Sequence, residues 1–132
     1  MKNNLFYRLF EGSKTIEFDT RWNNGTGYYD HAARGQYAPK LGVGEVVSAT
    51  SPIPNNRKIV IIGLGEDKGN FVFFERYTDG AHDVIVSNGE RSWCPDQVRD
   101  AMNGAVSDTG LREVWDWVSE QALAATNAVC HM

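Results

Sequence analysis

Arginines and aromatics are the residues of this 132-residue chain best suited to chemistry. Arg34 and Tyr37 lie in a glycine-rich stretch, and Arg57 opens an apolar run. Arg76 and Tyr77 close the next run, and Asn88 and Arg91 follow the last one. Guanidinium forks grip phosphate oxygens in pairs. Aromatic faces stack on a base for ~1–3 kcal/mol each. An asparagine amide reads a base edge or a ribose hydroxyl. The set therefore fits a phosphorylated nucleotide. The competing reading makes the arginines surface charges paired with Glu75, Glu90 and Asp79, worth ~0–1 kcal/mol per pair. If consecutive strands pair antiparallel, the end of one lies beside the start of the next. That expectation puts Arg76 and Tyr77 next to Arg57, with Asn88 joining them only if its strand lies alongside.

Other chemistries find less support. Gly63-Leu64-Gly65-Glu66-Asp67-Lys68-Gly69 follows a strand, but its third glycine comes one residue late for a dinucleotide fingerprint. Phe71-Val72-Phe73-Phe74 then reads as a strand where that motif needs a helix. His31, His82, His131, Cys94 and Cys130 lack metal-ligand spacing, so no metal or other cofactor is expected. There is no G-x-S-x-G and no recognisable cysteine–histidine arrangement. Glu66 and Asp67 read as solvated loop carboxylates. No reaction class can be assembled, and the chain is read as a binding protein rather than an enzyme.

The elements that must position these residues are read from periodicity. Leu5–Phe10 is apolar and aromatic, and reads as a strand. Glu11-Gly12-Ser13-Lys14 reads as a turn into a second strand, Thr15–Trp22, where Ile16, Phe18, Thr20 and Trp22 alternate with charged residues. The two are expected to form a hairpin. Asn23–Gly42 fits no period, and a loop of that length is expected to carry function. Short strands follow at Gly44–Thr50 and, after two prolines, at Arg57–Ile62, whose β-branched run predicts burial on both faces. Gly63–Asn70 reads as a loop, Phe71–Tyr77 and His82–Ser87 as strands, and Asn88-Gly89 as a turn. Pro95 suits the start of a short helix to Met102, ended by Asn103-Gly104. Ser107-Asp108-Thr109 caps a second helix, with Leu111, Val114, Trp115, Val118, Ala122 and Ala125 on its apolar stripe and Trp117 at or beyond its margin. The expected fold is α+β, with an antiparallel sheet or partly closed barrel of about six strands followed by two C-terminal helices. It forms a single domain, residues 1–92 making a β-rich body and 93–132 a helical part.

Composition narrows the partners. With 42% hydrophobic and 23% charged residues the chain needs no disulfide or metal to fold. Net charge is −4; twelve basic and twelve acidic residues precede Asp100, whereas Arg112 stands alone against five acids from there on. Duplex DNA, which demands clustered cations, is not an expected partner. Cys94 and Cys130 form no disulfide framework, which fits a reducing, cytoplasmic setting. Neither a signal peptide nor a membrane span is read.

Gly44–Val47, Arg57–Gly63, Gly69–Tyr77 and Val84–Asn88 together resemble the phage-encoded Thoeris anti-defence sponges of the first type. The resemblance covers the middle third of the chain. It implies a β-rich part followed by helices, no catalysis, a homo-oligomer, and sequestration of cyclic ADP-ribose signals made by bacterial immune systems in the host cytoplasm. It also implies a strand aromatic working with a later asparagine, here Phe74 or Tyr77 with Asn88. Arg112 is the only basic residue of the last helix, where the family would use several, so the resemblance does not reach a second, cyclic-oligonucleotide site. The expected function is capture of a small cyclic nucleotide. The alternative is an inhibitor or adaptor that binds another protein through its acidic C-terminal helix.

Overall fold

The computed structural model describes residues 4–17, 40–51, 57–65, 70–76, 85–87 and 95–130. In chain order the elements are α1 (Leu5–Gly12), β1 (Lys14–Thr15), β2 (Val46–Ser51), β3 (Arg57–Gly65), β4 (Asn70–Arg76), β5 (Ile85–Ser87), α2 (Asp96–Asn103) and α3 (Asp108–Cys130). Among the described residues the strands form one open five-stranded sheet in the order β1-β2-β3-β4-β5. Strands β2 to β5 are a plain antiparallel meander, as consecutive short strands joined by turns should be. The fold is α+β, but the sheet is mixed and not closed into a barrel.

The N-terminus departs from its sequence reading. Leu5–Phe10 is helical rather than extended. Asn4 caps the helix, its side-chain oxygen accepting from Tyr7 N at 2.9 Å. Leu5 and Phe6 are fully buried, and Leu9 and Phe10 pack on the same core one turn later. That i, i+4 spacing is one helical face. A six-residue segment is too short for periodicity to separate helix from strand, and the tertiary contact decides. The expected N-terminal hairpin is therefore absent. Lys14–Thr15 instead pairs parallel with β2, Lys14 opposite Val47 and Thr15 opposite Ser48. Ile16 N donates to Ser48 O at 2.8 Å and holds the next residue to the sheet. Residues 18–22 of the expected Thr15–Trp22 strand and nearly all of Asn23–Gly42 lie outside the described residues.

β3 is longer than its β-branched run suggested. It continues through Gly63 to Gly65, where the register with β4 shifts. Gly65 adopts φ of +146°, which favours glycine, and the shift falls there. Gly63 faces a different constraint. A Cβ at that position would collide with the backbone oxygen of Gly42 and the side chain of Leu41. The 41–45 segment lies that close because Gly44 N donates to Gly63 O and Gly63 N donates to Glu45 O, both at 2.9 Å.

The sheet separates two apolar clusters. Val60, Ile62, Leu64, Val72 and Phe74 meet Leu5 and Phe6 of α1, Val98 and Met102 of α2, and Val114, Trp117, Val118 and Ala122 of α3. Leu41, Val47, Ile59, Ile61 and Phe71 form the second cluster, with Ile16 packed against it. The expectation that β3 is buried on both faces holds: Ile59, Val60, Ile61 and Ile62 are each 0% exposed. The two C-terminal helices also appear where sequence placed them, and Trp117 lies inside the apolar stripe. Among the described residues no helix is long and apolar enough to cross a membrane.

Two substitutions test this packing. Phe74→Ala, which empties the space against Trp117, should cost ~3–5 kcal/mol in urea unfolding. Gly63→Ala should cost ~3 kcal/mol, near the top of the overpacking range, because backbone rather than a flexible side chain blocks the new methyl.

Candidate functional site

Two cations stand side by side where β3 begins and β4 ends. The register sets Lys58 directly opposite Arg76. Like charges in such a cross-strand pair repel, by ~0.2–1 kcal/mol. Among the described residues neither cation forms an ion pair; the salt bridges there join Arg99 to Asp96 at 3.1 Å and to Asp100 at 3.9 Å. Glu75 precedes Arg76 in the chain but pairs with Ile59 and is buried at 9% exposure, so the expected surface pair with Glu75 is not the arrangement at Arg76.

Aromatic rings take the place of carboxylates. Lys58 Nζ sits 5.1 Å from the centroid of the Phe10 ring, and Arg76 Cζ sits 5.4 Å from that of Tyr7. Each contact is worth ~0.5–1 kcal/mol at an exposed position and more when desolvated. Both rings come from α1 and are fixed by Phe6, which stacks on Phe10 at 6.1 Å and meets Tyr7 edge-on at 5.5 Å. Phe6 is fully buried, so the platform is anchored in the core. Lys58, Arg76, Tyr7 and Phe10 are each half-buried and keep contact with solvent.

α2 supplies the last member. Arg76 Nη1 donates to Asn103 Oδ1 at 3.1 Å, and Asn103 Nδ2 donates to Arg99 O at 3.1 Å. Asn103 ends α2, where exposed carbonyls favour a nearby cation. α1 is tied to the same corner, since Leu5 N donates to Gly104 O at 3.0 Å and Asn4 bridges Ala105. The assembly places two adjacent cations, two ring faces and an amide at one end of the sheet. It can hold an oxyanion between the cations.

Of the residues singled out from sequence, Arg76 alone is seen in this cluster. Arg57 belongs to β3 but pairs with Ser51, and the cation opposite Arg76 is Lys58. Phe74 is 0% exposed and meets Trp117 edge-on at 6.1 Å, so its ring is core and offers no face to a ligand. Arg34, Tyr37, Tyr77, Asn88 and Arg91 lie outside the described residues. Lys58, Tyr7, Phe10 and Asn103 were not foreseen. Tyr7 and Phe10 are three residues apart and become neighbours only on a helix. Among the described residues no group of histidine, cysteine and carboxylate side chains could hold a metal.

The capped helix carries the platform, which gives a direct check. Asn4→Ala should cost ~1 kcal/mol of stability, the usual worth of such a cap, read as a lower unfolding midpoint. No family model, curated protein or solved structure matches the chain.

Proposed function

We propose that this chain captures a small phosphorylated nucleotide and does not convert it. The observation that carries the reading is the Lys58–Arg76 pair, two opposed cations backed by aromatic rings instead of carboxylates. An oxyanion placed between them turns their mutual repulsion into two attractions. Arg76 spends one N–H on Asn103 and keeps others for a phosphate. The nucleotide class rests on the aromatic neighbours and on the resemblance to anti-defence sponges, which also brings the cyclic ADP-ribose isomers, the homo-oligomer and the host cytoplasm into the proposal. A monomeric mass in solution would count against that wider reading.

A thermal-shift screen against cyclic ADP-ribose isomers, cyclic di- and trinucleotides, NAD and ATP tests the function. A ligand held only by the folded state raises the melting temperature by mass action. The expected result is a shift with one nucleotide that is recovered chemically intact. Arg76→Ala and Lys58→Ala should each weaken that binding by about tenfold or more, the loss expected for a hydrogen bond to a charged group. Conversion of the nucleotide to a product would replace capture with catalysis. Binding to a macromolecule alone would favour the inhibitor reading.

A further inference from the structure

Asn103 holds Arg76 with a neutral group. Its amide orientation follows from two hydrogen bonds: the oxygen accepts from Arg76 Nη1 and the nitrogen donates to Arg99 O, each at 3.1 Å. A flipped amide would set N–H against N–H at the guanidinium and oxygen against oxygen at the carbonyl. An aspartate of the same shape would also reach Arg76, but as a counter-ion. The position is therefore a choice between tethering the guanidinium and neutralising it.

We propose that Asn103 is a positioning residue for oxyanion binding: it fixes the Arg76 fork beside Lys58 while leaving both positive charges available. The inference rests on the reading of Lys58 and Arg76 as an anion site. It makes position 103 a determinant of how tightly that site takes phosphate. Repulsion from Lys58 would otherwise swing the long arginine side chain away, and the hydrogen bond together with the Tyr7 ring opposes that. A carboxylate at 103 would still hold the fork, at the expense of the bond to Arg99 O, and would discharge it.

Calorimetry with inorganic pyrophosphate, on the full chain, separates the possibilities. Asn103→Asp should lower pyrophosphate affinity by about tenfold or more and flatten its dependence on salt, because one cation is lost from the encounter. Its melting temperature without ligand should fall by less than that of Asn103→Ala, since the ion pair to Arg76 offsets part of the lost hydrogen bond to Arg99 O and of the unfavourable negative charge at a helix C-terminus. Asn103→Ala should lower both affinity and melting temperature. Full affinity in Asn103→Asp, alongside a defective Arg76→Ala, overturns the role of Asn103 alone. Absence of pyrophosphate binding to the unaltered chain, or undiminished binding to Arg76→Ala, overturns the anion site and this inference with it.

Discussion

β3 runs through the middle of the sheet with Ile59, Val60, Ile61 and Ile62 all shut off from water, so both faces of the sheet have to be covered. Burying four such side chains contributes ~1.5–3 kcal/mol each. On one face the cover is a layer of three helices, and each of them reaches the same cluster. The apolar stripe of α3 spends Val114, Trp117 and Val118 on it, leaving the acidic residues Glu113, Asp116 and Glu120 outward. The tryptophans that could have docked a partner are thus largely committed to the protein's own interior.

The same demand explains the position of the cationic corner. Alternation along β3 sends Val60 and Ile62 to the helices, and Lys58 follows in phase at the margin where the helix layer ends. Arg76 is in phase with Phe74 for the same reason. Rings from α1 therefore meet cations where the core gives way to solvent. The platform is an outgrowth of core packing: Phe6 is a core residue, and its neighbours Tyr7 and Phe10 share its rigidity.

Much of this was legible in the residues themselves. The β-branched run of β3, the apolar stripe of α3 and the proline at the head of α2 each have a local signature, and each element stands where that signature put it. α1 has no such signature. Leu5-Phe6-Tyr7 suits a strand as well as a helix, and only packing against the sheet and α2 resolves it. Misreading that segment hid Tyr7 and Phe10, because two aromatics at that spacing on a strand face opposite ways. Arg76 could be singled out by its place at a strand end. Its neighbour could not, because choosing Lys58 over Arg57 takes a one-residue register, and alternation then exchanges the faces.

The hydrogen bond from Leu5 to Gly104 joins the first helix to the junction of the last two. α1 has eight residues, shorter than the ~12–15 that an isolated helix needs to hold together in water. It therefore keeps its shape only while docked, on β2 and β3 along one side and on α2 along the other. Loosening α2 would release the Leu5 anchor and the Asn103 tether together. The rings and the guanidinium would lose their hold in the same event, so order at this corner is shared between the first helix and the second and is not the property of either alone.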